Sequence, residues 1–161
     1  GIDVWICSAS FVDVIKGIAC QPQFGYAVKE NEIIAMELER DGNGIIQPVF
    51  RKNYEQTQGK GKTKNIERFL VVKYGYAPIF VAGDSTGDEN MMADFKDTKL
   101  SLIINRLPNP STDLGKFAKR AFAEYQTDNP RFLLQGRDEN TGKFLPTQGS
   151  RPLSQKEIKI F

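Results

Sequence analysis

Ile79-Phe80-Val81-Ala82-Gly83-Asp84-Ser85-Thr86-Gly87-Asp88-Glu89-Asn90-Met91-Met92 is the stretch that decides the fold. Its first four residues form a bounded apolar run, too short for a helix, which reads as a strand buried on both faces. In an open parallel sheet the loop beyond a strand's carboxyl end is where ligands bind. Here that loop carries two carboxylates, Asp84 and Asp88, flanked by Gly83 and Gly87. Mg²⁺ prefers carboxylate oxygens and shares its remaining shell between water and a substrate phosphate. Asp84 is therefore expected as a near metal ligand, and Asp88 as a second or water-mediated one. The two glycines are read as letting the backbone turn sharply around the ion. A solvated Asp/Gly/Ser turn is the plainer alternative. An EF-hand is excluded, because Ser85-Thr86-Gly87 stands where alternating Asp/Asn ligands belong.

Two further segments extend the pattern. Val4-Trp5-Ile6-Cys7 reads as another buried strand, followed by Ser8-Ala9-Ser10 and then a helix whose face is marked by Phe11, Val14, Ile15 and Ile18. Ser10, with Asp13 three residues on, fits a helix N-cap. Ser8 is then expected at the strand's carboxyl end. Its hydroxyl and the adjoining backbone N–H of Ala9 would face an anion near the helix N-terminus. The other segment, Gly59-Lys60-Gly61-Lys62-Thr63-Lys64, is a basic loop entering a helix with Ile66, Phe69, Leu70 and Tyr74 on its apolar face. A P-loop does not fit, since its leading glycine would fall at Gln56 and no buried strand precedes the loop.

In order, a strand ending at Ser8, then Lys62, then a strand leading to Asp84 and Asp88 resembles motifs two to four of the haloacid dehalogenase (HAD) superfamily of phosphohydrolases. The likeness spans most of residues 1–105 and is nearest to the phosphoserine phosphatase-like and phosphorylcholine phosphatase-like branch. It implies an α/β, Rossmann-like three-layer sandwich with a mostly parallel sheet. It also implies a small hairpin over about 31–50, with Glu32–Glu39 and Ile45–Phe50 around Asp41-Gly42-Asn43-Gly44. The turn residues point to the same hairpin unaided.

The resemblance also implies a mechanism: Mg²⁺-dependent hydrolysis of a small phosphomonoester through an aspartyl-phosphate. Ser8 would hydrogen-bond the transferring phosphoryl group, with Ala9 beside it. Lys62, preferred over Lys60 and Lys64, would neutralise charge, and Asp84 with Asp88 would hold the metal. These enzymes place the nucleophile and the general acid–base in an Asp-x-Asp at the end of their first strand. The 161 residues contain no Asp-x-Asp. The central strand that should carry it, and the cap inserted after it, are therefore expected on an N-terminal segment of the same protein, held as a separate chain after cleavage. Without that strand its two neighbours would expose a slot of unpaired backbone groups, each costing about 1–3 kcal/mol if kept from water. A folding free energy of about 5–15 kcal/mol cannot absorb many of these. The alternative is a complete, non-catalytic module that binds Mg²⁺ or phosphate or serves as a scaffold.

Composition excludes other classes. With 40% hydrophobic and 26% charged residues the chain is of ordinary globular make-up. A net charge of +2 gives no ground for nucleic-acid or membrane binding. No apolar run approaches the roughly 20 residues of a membrane span. A cytoplasmic setting is the default expectation, any export signal falling to the preceding segment. The absence of histidine removes His-based catalytic systems and the usual zinc sites. Cys7 and Cys20 lack metal-ligand spacing and read as buried thiols. Beyond a strand at Ser101–Ile104, a helix on Leu114, Phe117, Ala118, Ala121 and Phe122 is expected, capped by Ser111 or Thr112. The core is read as 1–125, with 126–161 an irregular tail packed through Phe132, Leu133, Leu134 and Phe144.

Overall fold

A computed structural model describes residues 1–161. It is α/β, with parallel strand pairs and one small antiparallel hairpin. The chain divides into two compact units, Gly1–Lys73 and Tyr74–Phe161, so the division falls well before residue 125.

In the first unit β1 (Ile6–Phe11) pairs in parallel with β2 (Ile33–Met36). Ile6, Cys7 and Ser8 face Ile33, Ile34 and Ala35 in regular register, and the register then breaks before Phe11 meets Met36. That pairing shifts the expected strand: Val4 is exposed and outside it, whereas Ser10 and Phe11 are inside. Ser10 is accordingly not the helix cap. Helix α1 (Val12–Ala19) starts from Phe11 without a side-chain cap. The hairpin is also shorter than its sequence pattern, because Ile33–Met36 joins β1. Only β3 (Leu38–Arg40) and β4 (Ile46–Phe50) pair antiparallel. Asp41 closes the turn by accepting from the N–H groups of Asn43 and Ile45, both at 2.9 Å.

Helix α2 (Lys60–Ile66) begins within the segment read as a basic loop. It continues as a π-helical stretch, Glu67–Val71, and a final α turn, α3 (Val72–Tyr74). Gly59 enters the helix at φ +53°, and Gly61 lies so close to the Gln56 carbonyl that a Cβ would be 1.8 Å from its oxygen. No side chain fits there. Ile66 and Leu70 are buried as the helical spacing predicts.

In the second unit β5 (Phe80–Gly83), β6 (Leu100–Asn105) and β7 (Phe132–Gly136) form a parallel sheet with β6 in the middle. Residues 132–136 are thus a sheet strand and not part of an irregular tail. The run Phe132-Leu133-Leu134 is too short to reveal this by periodicity, and its partner is supplied by β6. Short helix α4 (Glu89–Ala93) follows β5, and α5 (Asp113–Ala123) joins β6 to β7. Thr112 caps α5 by accepting from Gly115 N–H at 3.1 Å, and Leu114, Ala118 and Ala121 are buried. β5 is not buried on both faces: Val81 is inside, but Phe80 and Ala82 are exposed. Among strands, β1 pairs only with β2 and β5 only with β6, so each keeps an edge without a strand partner.

Beyond β7 the chain turns back so that Arg137 bridges antiparallel to Phe144. Asp138 anchors this turn, accepting from Asn140 N–H at 2.9 Å and from the Asn140 amide at 3.0 Å, and from Arg151 Nη1 at 2.6 Å. The Asn140 hydrogen bonds, seconded by Arg151, hold its carboxyl below the ordinary value of 3.8. On acidification the unfolded chain takes up this proton before the folded one. Stability from this group is therefore complete above about pH 4 and is lost as pH falls through the depressed folded value. Thermal melts between pH 6 and 2.5 should show this loss in the native protein, and a smaller one in Asp138→Asn.

No helix is long and apolar enough to cross a membrane. Cys7 and Cys20 are free thiols, half-buried and not fully buried as read from sequence.

Candidate functional site

The carboxyl end of β1 carries the first group of predicted residues. Ser8 is half-buried, and its Oγ accepts from Ser10 N–H at 3.1 Å, which leaves the hydroxyl proton to be donated elsewhere. Ala9, next to it in the irregular part of the strand, is exposed. Lys62 is 5% exposed and donates from Nζ to the Cys7 carbonyl at 3.0 Å. The first turn of α2 thus delivers a buried ammonium to the strand end beside Ser8. Lys60 is exposed, and Lys64 pairs with Glu55 at 2.8 Å on the surface. Thr57, fully buried, donates its hydroxyl to the Ser8 carbonyl. Sequence reading missed it, since a threonine between glutamines in a polar loop carries no mark of burial.

The second group stands at the carboxyl end of β5. Asp88 is 4% exposed and turns inward. Its Oδ2 accepts from the N–H groups of Asp84 and Ser85 at 3.1 and 3.0 Å and from Ser85 Oγ at 2.8 Å. Together with Ser85 it forms a capping box that shapes the loop. Asp84 is half-buried. Its Oδ2 accepts from Arg106 Nη1 at 3.1 Å, and its Oδ1 has no hydrogen bond. The two carboxylates therefore differ: Asp88 Oδ2 holds the loop, and Asp84 presents an oxygen. Arg106 also approaches Glu139 at 3.3 Å, and the hydrogen bond it donates to Asp84, followed by the charge of Glu139, keeps its guanidinium above its ordinary value. Its place directly after β6 is the signal that would have found it in the sequence.

Asp84 fits a hard cation through Oδ1. Nowhere do three or more His, Cys, Asp or Glu side chains gather closely enough to make a metal site by themselves. Beyond Asp84 and Asp88, ligands would be water, backbone carbonyls, substrate or a group from elsewhere.

Gly83 is required by close approach, since a Cβ there would lie 2.7 and 2.8 Å from Cβ and Cγ of Asp88. Gly87 has no such need: its nearest neighbour would be Ser85 Oγ at 3.5 Å, and its φ is not positive. Gly83→Ala should push Asp88 out of its three hydrogen bonds and destabilise the protein by about 1–3 kcal/mol, whereas Gly87→Ala should be near neutral. Urea unfolding of both variants checks the difference.

Of the three arginines in residues 126–161, two are structural. Arg131 donates to Ser101 Oγ and the Met92 carbonyl at 3.0 and 2.7 Å, and Arg151 is held by Asp138. Arg137 lines a cleft of about 300 Å³ at the carboxyl ends of β5, β6 and β7.

Among solved structures, the chain is similar to a conserved functionally unknown protein from Anaerococcus prevotii DSM 20548, with a TM-score of 0.85 and 33% identity. The match covers 94% of this chain and 38% of that one, so the chain spans less than two fifths of the other's length. No family model and no curated protein matches the chain.

Proposed function

We propose that these residues form part of the catalytic domain of a Mg²⁺-dependent phosphomonoester hydrolase of HAD type, acting on a small phosphorylated metabolite. The observation that carries the reading is the carboxyl end of β5, where an inward Asp88 fixes the loop and Asp84 presents an open oxygen. The buried Lys62 beside Ser8 at the end of β1 supports it, since a cation and a hydroxyl are what a phosphoryl group needs there. In this reading the domain is of HAD three-layer type, and a strand from outside residues 1–161 brings the Asp-x-Asp. Each within its own unit, β1 and β5 keep an edge without a strand partner.

Asp84 would hold Mg²⁺ directly, with Asp88 acting on it through water and through the loop it shapes. When bound, the metal supplies Lewis-acid charge compensation for the phosphoryl oxygens. Ser8 donates its free hydroxyl proton to one of those oxygens. Lys62 neutralises charge that builds up on the phosphoryl group and the attacking carboxylate, and Thr57 fixes the backbone at Ser8. Arg106 steadies the orientation of Asp84.

The test is hydrolysis of p-nitrophenyl phosphate by the full-length protein. Turnover should require Mg²⁺, stop on chelation and return when the metal is restored. Turnover indifferent to chelation, or none at all, would overturn the reading and leave a binding or scaffold module in its place.

A further inference from the structure

The cleft of about 300 Å³ lies wholly within the Tyr74–Phe161 unit, lined by Ala82, Gly83, Asp84, Ile104, Arg137, Gly142 and Phe144. Its walls are mainly apolar, with one acid and one arginine. The acid is already compensated, because Asp84 is paired with Arg106. The arginine is not satisfied in the same way. Its Nε is buried without a hydrogen-bond partner, and its guanidinium donates no hydrogen bond to any protein group. The nearest acid, Glu139, is 3.7 Å from Nε and is shared with Arg106 at 3.3 Å. Glu139 therefore offsets charge but fills none of the donor positions of Arg137. A guanidinium presents five N–H donors in a planar fork; Nε is the buried one here, and with the side chain 31% exposed the remaining donors can take an outside ligand.

The backbone behind Arg137 is fixed. Its N–H donates to Ser150 Oγ at 2.8 Å, its carbonyl accepts from Arg151 N–H at 2.9 Å, and it bridges to Phe144. The tight return through Gly142, at φ +73°, brings Phe144 back to the cleft with its ring largely exposed. A donor fork carried on a fixed backbone beside an aromatic and aliphatic wall matches one kind of ligand: a small carboxylic acid with an apolar body.

We propose that this cleft binds such an acid, its carboxylate accepting from Arg137 and its carbon skeleton lying on Ile104 and Phe144. The site stands on the second unit alone; it shares Asp84 with the proposed catalytic site, but its argument rests on Arg137, Ile104 and Phe144. Calorimetric titration of the full-length protein with benzoate and butyrate, each against its neutral amide, tests it. At least one of the acids should bind, and at least tenfold more tightly than its amide. Arg137→Ala should abolish that preference. Because the Arg137 side chain makes no hydrogen bond in the protein, its removal should leave the melting temperature nearly unchanged. Phe144→Ala should weaken the acid severalfold but leave any binding of inorganic phosphate as it was. Failure of both acids to bind, equal affinity for acid and amide, or a preference that survives Arg137→Ala would overturn the proposal. So would phosphate binding at Arg137 as tightly as the better acid, which would mark a bare oxyanion site. Loss of hydrolysis in Lys62→Met, a residue outside this cleft, with acid binding intact would separate this site from the proposed catalytic one.

Discussion

Asp84→Asn is expected to lower the kcat for Mg²⁺-dependent hydrolysis by at least about a hundred- to a thousandfold, the usual cost of losing one preorganised group that stabilises transition-state charge. Asparagine keeps the shape of the side chain and an oxygen for Arg106, now 3.1 Å from Asp84 Oδ2, so the loop should survive. The loop itself is held by Asp88, which this change does not touch. Steady-state kinetics over a range of Mg²⁺ concentrations should therefore show a collapsed kcat beside a melting temperature close to that of the native protein. Loss of both together would make Asp84 a structural residue.

Removing the ammonium of Lys62 should have an effect of similar size. A unit charge about 4 Å from a phosphoryl oxygen contributes about 4 kcal/mol at an effective dielectric of 20, or about a thousandfold in rate. Lys62 is buried, so methionine, of similar length, is the informative replacement: Lys62→Met fills the space and removes the cation together with its hydrogen bond to the Cys7 carbonyl. Lys60→Ala should be nearly silent, because that side chain is exposed. Parallel rate measurements on the two variants decide the matter. Equal losses at Lys60 and Lys62 would mean that the positive charge of the segment as a whole matters, and not its delivery beside Ser8.

Much of the fold could be read along the chain because buried strands and an amphipathic helix write their own periodicity. The strand before Gly83, the strand around Ser101–Ile104 and the helix on Leu114, Ala118 and Ala121 all stand close to where their patterns put them. What escaped were features decided by partners distant in sequence. Ile33–Met36 resembles one arm of a hairpin until β1 claims it in parallel, and Phe132–Gly136 is a strand only because β6 is beside it. The candidate site shows the same limit. Gly-Asp-x-x-x-Asp marks the loop, but no rule of spacing tells that Asp88 turns inward to hold it while Asp84 faces out. Three lysines in five residues look alike in sequence, and only the helix start at Lys60 makes Lys62 the buried one. Arg106 and Arg137 owe their importance to standing directly after β6 and β7, which becomes visible once those strands are paired.

The central claim is that phosphoryl transfer in this protein runs through an aspartate carried outside residues 1–161, with Ser8 as a hydrogen-bond donor and not a nucleophile. Rapid acid quench of the full-length protein during turnover of p-nitrophenyl phosphate, followed by peptide mass analysis, tests it most directly. The prediction is one added phosphoryl group, labile to hydroxylamine as an acyl phosphate is, on an Asp-x-Asp peptide from outside this chain. A hydroxylamine-stable phosphoryl group on Ser8, or turnover with no phosphorylated protein under any quench time, would contradict the account.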